Sequence, residues 1–358
     1  MKNLLLPLLL LLLTITAIAA EPDSAKIRRW SILPVPALGH APETGWYGGA
    51  VCLLTYSPTD TFTRSSNFKT EFNYTEFKQL IFSTGWNYAS PGNRYFFSGE
   101  AAYLHFPEDF YGIGNSTTSA QKENYDSRRL ELEFTLLRQW QPYLYFGPRY
   151  QLQHLYHIEP QPEGQLENGN VTGAGGGTSS GAGWAFAFDK RDNLLNPKRG
   201  PYLSISQTFF GKTLKSDFTF SRYELDLRHY FKIRKNDVLA VQAVGQFSTG
   251  QPPFRMLPLL GSDADMRGYY RGRFRDRQYL AAQAEYRLPL FWRFGLTAFA
   301  GAGDVANKVS GFRFDSLKPT YGGGLRFVVD RQENINLRLD FAFGKNTTGF
   351  YVAFGEAF

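Results

Sequence analysis

The fold is decided by one stretch near the end of the chain, Asn334-Ile335-Asn336-Leu337-Arg338-Leu339-Asp340-Phe341. Its polar and apolar residues alternate without a fault. Because successive side chains of a β-strand point to opposite faces, this period of two predicts a strand with one polar and one apolar face. The same alternation recurs at residues 129–134, 223–228 and 283–288. The chain is therefore predicted to be all-β.

The lengths of the connections distinguish a barrel from a sandwich, which alternation alone does not do. Tight turns are predicted on one end, at 90–93, 141–142, 235–237 and 330–332. Long segments are predicted on the other end, at 105–124, 159–179, 250–277 and 305–318. We predict that the two kinds alternate strictly. Short periplasmic turns and longer outer loops are typical of outer-membrane barrels.

The composition agrees with a barrel that spans a membrane. The chain has 32 Phe and 21 Tyr, yet its mean hydropathy is −0.33. Strands that are apolar on one face only explain this combination, and the sheet must close because lipid offers no hydrogen-bond partner to a free edge. We predict a transmembrane antiparallel β-barrel of about sixteen strands, at 30–36, 46–57, 63–76, 77–89, 94–104, 125–139, 142–158, 180–190, 200–211, 217–234, 237–249, 278–288, 291–304, 319–330, 333–343 and 349–358.

The first twenty residues predict a secretory signal peptide. Lys2 precedes an apolar run at 4–13, and small residues at 17–20 precede Glu21. Residues 21–358 are then one exported barrel domain, which we place in the outer membrane of a Gram-negative-type cell. Cys52 is the one cysteine of the sequence, so no internal disulfide is expected. For an exported chain with a net charge of +7, the expected partners are outer-membrane lipid and lipopolysaccharide, not nucleic acid.

A segment in the middle of the chain carries a family signature. Residues 188–200 read Phe-Asp-Lys-Arg-Asp-Asn-Leu-Leu-Asn-Pro-Lys-Arg-Gly. They resemble the strand-turn-strand motif of the BamA/TamA outer-membrane assembly superfamily, whose barrels are of the bacterial surface antigen type. The matching residues are Asp189, Arg191, Asp192, Pro197 and Gly200. Proline and glycine suit a periplasmic turn, and the Asp/Arg cluster is expected to pair internally at the rim.

A second segment resembles the loop motif of the same superfamily. It contains Arg267, Gly268 and Tyr269, and the resemblance implies that this sixth outer loop folds into the lumen, where Arg267 meets Glu285. A guanidinium fits a carboxylate bidentately, and Gly268 permits a tight turn. The sequence departs from the family where a second carboxylate is expected, because Gly301 stands there and Asp304 is displaced. A solvated basic loop is the alternative, since four further arginines follow at 271, 273, 275 and 277.

Both ends of the predicted barrel meet at one seam. The strand at 349–358 ends in aromatic residues, of which Phe354 and Phe358 are expected to act as a C-terminal strand signal. The first strand contains Pro34 and Pro36. Because proline has no N–H to donate to a ladder, the seam between the first and last strands is predicted to be weak.

The leading hypothesis is an outer-membrane assembly factor that inserts or translocates proteins, with client barrel proteins and the barrel assembly machinery as partners. The resemblance implies preceding POTRA modules, for which this sequence leaves no room, so a barrel-only relative is expected. A passive pore or structural barrel is the first alternative. An outer-membrane hydrolase is the second, because a Ser/His/Asp triad is recognised by geometry rather than by sequence. No catalytic, cofactor or metal residues are predicted, and the chain is not expected to be an enzyme.

Overall fold

The computed structural model describes residues 30–60, 63–168, 170–194, 196–234, 236–331 and 335–358. The predicted signal peptide at 1–20 lies outside these residues. The described residues form nineteen strands, namely β1 Trp30–Ala41, β2 Gly45–Tyr56, β3 Ser66–Thr75, β4 Leu80–Ala89, β5 Tyr95–His105, β6 Glu108–Phe110, β7 Glu123–Gln141, β8 Leu144–Pro160, β9 Gly177–Asp189, β10 Gly200–Phe210, β11 Phe220–Lys232, β12 Val238–Gly250, β13 Leu259–Leu260, β14 Phe274–Arg275, β15 Gln278–Pro289, β16 Phe294–Ala306, β17 Lys318–Asp330, β18 Ile335–Gly344 and β19 Thr347–Phe354. Short 3-10 helices lie in the connections at Pro91–Asn93, Ser119–Gln121, Lys212–Leu214, Val309–Gly311 and Phe314–Ser316.

Sixteen of these strands close into one antiparallel barrel. Each pairs with the next barrel strand along the chain, with β5 beside β7 and β12 beside β15, and β19 pairs back with β1. The short strands β6, β13 and β14 lie in connections, where β6 pairs with β7 and β13 with β14. The predicted closed, all-β barrel of about sixteen strands is confirmed for the part of the chain that the structure describes.

The predicted period of two is present in β18. Asn336, Arg338 and Asp340 are buried, whereas Phe341 is 59% exposed and Phe343 is 42% exposed. In a closed barrel the exposed apolar row faces lipid and the polar row faces the lumen. The inward row of β18 is therefore polar, and buried charged side chains lie inside the barrel together with apolar clusters such as that of Leu260, Met266 and Tyr279. No helix among the described residues has the length and apolarity needed to cross a bilayer.

The predicted strict alternation of connection lengths is wrong. The connections at 106–122, 161–176, 251–277 and 307–317 do share one end of the barrel, but the connections at 42–44, 76–79 and 345–346 on that same end are short. On the other end, the connections at 57–65 and 190–199 are long. The short hairpins follow from pairing that runs to the strand ends, as at Ala41↔Gly45 between β1 and β2. The wall of the barrel therefore ends in tight hairpins beside the seam.

The bounds of the first and last strands also differ from the prediction. β1 runs to Ala41 rather than to residue 36, and Pro34 and Pro36 lie inside its ladder with β2, opposite Cys52 and Ala50. Proline is tolerated on a strand whose other edge is sparsely paired. β19 ends at Phe354 rather than at residue 358. Both corrections concern the seam, where local alternation does not report whether a partner strand is present.

Candidate functional site

Arg267 lies in the connection 251–277, called loop 251–277 below, and its side chain is fully buried. One guanidinium nitrogen, Nη2, donates to Glu285 Oε2 at 2.6 Å, and the other, Nη1, donates to Asp340 Oδ2 at 2.6 Å. The guanidinium also lies over the ring of Phe299, 3.5 Å from its centroid. The structure therefore brings together Arg267 and Glu285, the pair that the loop motif implied, and adds a second carboxylate.

The second carboxylate is not the one that the sequence suggested. Asp304 binds Lys318 Nζ at 2.6 Å and accepts hydrogen bonds from Ser316 and, at 3.5 Å, from Asn115 Nδ2. None of these partners is Arg267. Asp340, on the polar face of β18, takes that place. The alternation that identified β18 did place Asp340 on a polar row, but no local signal related that row to a loop 73 residues away.

Three further arginines complete the charge network around this contact. Arg287 donates from Nε to Glu285 Oε1 at 2.8 Å. Arg326 donates from Nη1 to Asp340 Oδ1 at 2.5 Å and from Nε to Glu356 Oε2 at 2.8 Å. Arg338 lies 3.4 Å from Asp340 and donates to Asp263 in loop 251–277. Four guanidinium groups thus face four carboxylates, of which Asp263 is half exposed, so that each charge of the network has a partner of opposite sign. Balance matters because an unpaired charge in a dry interior costs several kcal/mol.

Gly268 and Tyr269 hold the backbone of the loop against the barrel wall. Gly268 has φ of +101°, and a Cβ there would lie 3.0 Å from the backbone carbon of Phe343, so the position suits glycine. Its N–H donates to Tyr351 Oη at 2.8 Å. Tyr269 Oη donates to the carbonyl of Pro319 at 2.9 Å and accepts from the N–H of Lys345 at 2.8 Å. All three residues of the loop motif therefore contact the wall between β17 and β19.

The turn motif forms a second cluster on the opposite end of the barrel. Asp189 ends β9, and both of its carboxylate oxygens accept from Arg191, Oδ1 from Nε at 2.9 Å and Oδ2 from Nη2 at 3.0 Å. Arg64, which sequence reasoning did not single out, donates to Asp189 Oδ2 at 2.6 Å. Arg191 also stacks on Tyr202, 4.1 Å from its centroid. The internal Asp/Arg pairing expected of this motif is thus present, with an additional arginine from the connection between β2 and β3.

The remaining turn residues shape the backbone. Asp192 accepts from the N–H groups of Lys198 and Arg199 at 2.9 and 3.2 Å, which closes the turn. Gly200 has φ of +102°, and a Cβ would lie 2.1 Å from the carbonyl of Lys190, so a larger residue cannot be accommodated without a shift. Pro197 accepts from Arg287 Nη1 at 3.4 Å through its carbonyl. Arg287 therefore links the turn motif to the network around Arg267.

The predicted C-terminal strand signal is divided between two environments. Phe354 is the last residue of β19, whereas Phe358 lies beyond the strand. The backbone turns at Gly355, whose φ is +86°. Phe358 is buried in a cluster with Tyr230, Val238 and Ala240, and its carbonyl accepts from Arg287 Nη2 at 2.8 Å. The predicted strand end at residue 358 is therefore wrong for Phe358, while its role as a folding signal stays a prediction.

The seam between β1 and β19 is sparsely paired. The register between them consists of His40↔Val352, whereas β1 pairs with β2 along its whole length from Trp30 to Ala41. His40 Nδ1 lies 2.8 Å from the carbonyl of Phe350, and Tyr47 Oη donates to the carbonyl of Val352 at 3.3 Å. Within the part of the chain that the structure describes, most of the β1 edge from Trp30 onward therefore lacks a neighbouring strand on the seam side.

A cavity of about 440 Å³ lies inside the barrel beside loop 251–277. Its wall includes the carboxylates of Glu71, Glu100, Glu131 and Glu133, and the loop contributes Arg271. In the described ranges, no group of three or more His, Cys, Asp or Glu residues is placed to hold a metal ion. The charged side chains that line this cavity are thus mostly acidic.

Glu43, in the short connection between β1 and β2, gives the site a pH-sensitive element. Burial raises its pKa from 4.5 to about 7, while hydrogen bonding to its own backbone and the charge of Arg271 oppose the rise. Its Oε2 is buried without a partner in the described part of the chain. The folded protein holds this proton more tightly than the unfolded chain does, so the stability that the proton provides is lost as pH rises from about 4.5 to about 7.

We expect the melting temperature of the folded barrel in detergent to fall between about pH 5 and about pH 8, and the Glu43→Gln variant to lose that part of the fall. The measurement is loss of the heat-modifiable folded band on gels across this range. Asp315→Asn is the control, because Asp315 is an exposed carboxylate with a side chain 72% accessible. Identical pH profiles for the native chain and Glu43→Gln would contradict the assignment.

Comparisons with known proteins agree with this architecture. The profile of the Omp85 superfamily domain matches residues 60–358. BamA from Haemophilus ducreyi lacking POTRA domains 1–3 is similar at a TM-score of 0.58 and 12% identity, over 91% of this chain and 70% of that one. CdiB from Acinetobacter baumannii has a TM-score of 0.55 and 13% identity, over 91% of this chain and 60% of that one. CdiB from Escherichia coli has a TM-score of 0.56 and 10% identity, over 94% of this chain and 68% of that one. No curated protein sequence matches. The chain thus spans 60–70% of the length of these solved structures.

Proposed function

The chain belongs to the Omp85 superfamily, and we propose that it acts in outer-membrane biogenesis by inserting or translocating client proteins at the seam between β1 and β19. It is a barrel of the outer membrane, and its work is non-covalent. The proposed partners are client barrel proteins in an extended state, the barrel assembly machinery, and the surrounding lipid and lipopolysaccharide.

The observation that carries this proposal is the sparse pairing of the seam. A strand edge with free N–H and C=O groups pairs readily with another extended chain. In lipid such an edge is costly to leave bare, since each unpaired backbone group costs several kcal/mol. Among the described residues, the edge of β1 meets β19 at His40↔Val352 only, while every other barrel interface has an extended register. A client strand that added to β1 would satisfy the groups that β19 leaves free.

The contacts of loop 251–277 fit this role. The Arg267 contact and the Gly268 and Tyr269 hydrogen bonds attach the loop to β15, β17, β18 and β19. These strands form the wall on the β19 side of the seam. We propose that the loop, as a lumenal element, keeps this wall in a fixed shape while the β1 side takes up a client.

A disulfide across the seam tests the proposal. In a Cys52→Ser background, His40→Cys with Val352→Cys places two cysteines at directly opposed positions. We expect the oxidised protein to lose most of its ability to insert a client barrel into lipid vesicles, and to regain it when reduced. The matched control is Val35→Cys with Val51→Cys, an opposed pair within the β1–β2 ladder, whose oxidation should leave insertion unchanged. Full insertion by the seam-locked protein would refute the proposal.

A passive pore is the second candidate, and the acidic cavity beside the loop favours it. Carboxylates that line a lumen attract cations, and the residues facing this cavity include five glutamates, Glu224 among them. Planar-bilayer recording separates the two functions. A steady conductance that seam locking leaves unaltered, together with no client insertion, would support the pore over the assembly factor.

A further inference from the structure

A shallow apolar groove of about 630 Å³ lies on the outer wall of the barrel, away from the seam. It crosses the neighbouring strands β10, β11, β12, β15 and β16. Its floor consists of two rows of opposed residues, namely Pro201, His229, Val241, Ala284 and Ala300 in one row and Leu203, Leu227, Ala243 and Ala282 in the other. The groove therefore continues across most of one side of the barrel.

The alternation of the strands shows that this floor faces lipid. Gln283 donates to Gln242 at 2.7 Å inside the barrel. Because successive side chains of a strand point to opposite faces, Ala243 and Ala282, next to these amides in the chain, point outward. Leu227, opposite Ala243, is 40% exposed. Outward side chains of a membrane barrel meet hydrocarbon, so the groove is open to acyl chains.

One end of the groove carries a polar side chain close to the turns of the barrel. His229 is directly opposite Pro201, the second residue of β10. Its ring stacks on Phe231 with the centroids 4.1 Å apart, so the two rings border the groove at this end. Lys232 ends β11, and at about 3.3 Å per residue it lies roughly 10 Å beyond His229 along the strand. The apolar floor thus leads toward charged residues.

Four exposed cations lie on the two turns beside this end of the groove. Lys198 and Arg199 precede β10, whereas Lys232 and Arg234 lie at the end of β11 and just after it. The two turns are neighbours because β10 and β11 pair with each other. Among the described residues, the one ion pair of these four side chains joins Arg199 to Asp192 at 4.0 Å. Most of their positive charge is therefore available to a ligand.

This combination of charge and apolar surface suits an anionic phospholipid. The four longest connections lie on the other end of the barrel, so these turns are on the periplasmic side, where the leaflet of an outer membrane consists of phospholipid. Basic clusters beside the hydrocarbon attract anionic headgroups, and acyl chains gain contacts by filling an apolar groove. A second copy of the chain is disfavoured, because it would have the same orientation in the membrane and bring like charges together.

We propose that the groove is a binding site for one anionic phospholipid of the periplasmic leaflet. Lys232 and Arg234 bind its phosphate, with Lys198 and Arg199 beside them, and an acyl chain lies along the floor. His229 lies between the two parts, where its ring N–H donates to an ester or phosphate oxygen. This inference goes beyond the proposed function, since the site lies away from the seam and binding requires no client.

Native mass spectrometry of the folded chain in detergent, with graded amounts of lipid, counts the lipids that stay bound. The probes are phosphatidylglycerol and phosphatidylcholine with identical acyl chains. We expect one phosphatidylglycerol to bind about tenfold more tightly than phosphatidylcholine, because the two headgroups differ in net charge. Equal binding of the two lipids by the parent would refute the anionic site.

A charge variant tests the headgroup part of the site. Lys232→Gln with Arg234→Gln should weaken the binding of phosphatidylglycerol by about tenfold and leave that of phosphatidylcholine unchanged. The matched control is Lys212→Gln with Lys215→Gln, which removes two exposed cations from the connection between the same two strands at the opposite end. The control should bind both lipids as the parent does. Each variant is first shown to fold by its heat-modifiable mobility.

A groove variant tests the acyl-chain part. Ala243→Leu with Ala282→Leu places larger side chains on the floor and should weaken the binding of both lipids by about fivefold, roughly the effect of losing contact with one methylene group. Unchanged phosphatidylglycerol binding in either the charge variant or the groove variant would refute the site. Tighter binding of lipid A than of phosphatidylglycerol would assign the groove to lipopolysaccharide instead, and a lipid-free dimer would assign it to a second copy of the chain.

Discussion

Replacing Arg267 with alanine should release loop 251–277 and destabilise the barrel by about 3–5 kcal/mol, the usual cost of breaking a buried ion pair from one side. Glu285 and Asp340 would each lose a contact of 2.6 Å, and neither has any exposed surface through which water could replace it. The ring of Phe299 would lose its cation as well. We therefore expect the largest effect of any single loop substitution at this position.

Two measurements follow this prediction. The free energy of unfolding in lipid vesicles gives the stability, and maleimide labelling of Met266→Cys, in a Cys52→Ser background, reports release, because Met266 is 0% exposed. Arg267→Lys should show an intermediate effect, since an ammonium does not reproduce the planar fork that spans two carboxylates. Arg313→Ala is the control, as Arg313 forms an exposed pair with Asp315 worth about 1 kcal/mol or less. Protection of Met266→Cys in the Arg267→Ala variant would contradict the assignment.

Asp340→Asn should release the loop to a comparable extent, at a cost of about 3–5 kcal/mol. Three arginines lie on this carboxylate, namely Arg326 at 2.5 Å, Arg267 at 2.6 Å and Arg338 at 3.4 Å. An amide carries no charge to compensate them. The three guanidinium groups would then repel one another in a buried space, and the loop, which supplies one of them, is the part free to move.

Asp304→Asn is the informative comparison for Asp340→Asn. Asp304 is equally buried, and its removal disrupts the ion pair with Lys318 at 2.6 Å. It should therefore cost stability locally, but it should leave Met266→Cys protected from labelling. Strong labelling in Asp304→Asn, with protection in Asp340→Asn, would show that the loop is held by Asp304 on β16 and not by Asp340 on β18.

The buried charges inside the barrel explain why the residues of the site are linked to one another by ion pairs and hydrogen bonds. Apolar clusters pack part of the interior, as where Leu260, Met266 and Tyr269 of loop 251–277 lie against Tyr279 and Val305. Buried arginine and carboxylate pairs also fix geometry there, because each charge needs a defined partner. A consequence is that Arg287 contacts the turn motif, the loop network and Phe358 together.

Much of the barrel was predictable because a strand in a barrel wall obeys a local rule. β18 is an example. Asn336, Arg338 and Asp340 point inward, and Phe341 and Phe343 point outward, as the alternation predicts. The pairing of Arg267 with Glu285 was predicted from a motif, not from alternation. Arg64, Arg326 and Glu356 were not predicted, because nothing near them in the sequence distinguishes them from ordinary rim or lumen charges.

The errors lie where local pattern and long-range contact disagree. Phe350, Val352 and Phe354 continue a regular spacing toward Phe358, and alternation extends the strand accordingly. The structure ends β19 at Phe354 because Gly355 turns and Asn336, Arg326 and Arg287 hold the next residues inside. Likewise, Asp304 lies near the position at which the family has its second carboxylate, yet it forms an ion pair with Lys318 and not with Arg267.

By itself, the sequence determined that the chain is a closed ring of strands with a polar inward row, because a period of two sets the face of every side chain and a free strand edge is costly in lipid. Only the tertiary structure decided which inward charges meet, where β19 ends and how little of β1 is covered. The physical reason is that alternation indicates which face of the sheet a side chain lies on, but not which residue it contacts across the lumen. Those contacts form when the barrel closes and join residues far apart in the chain.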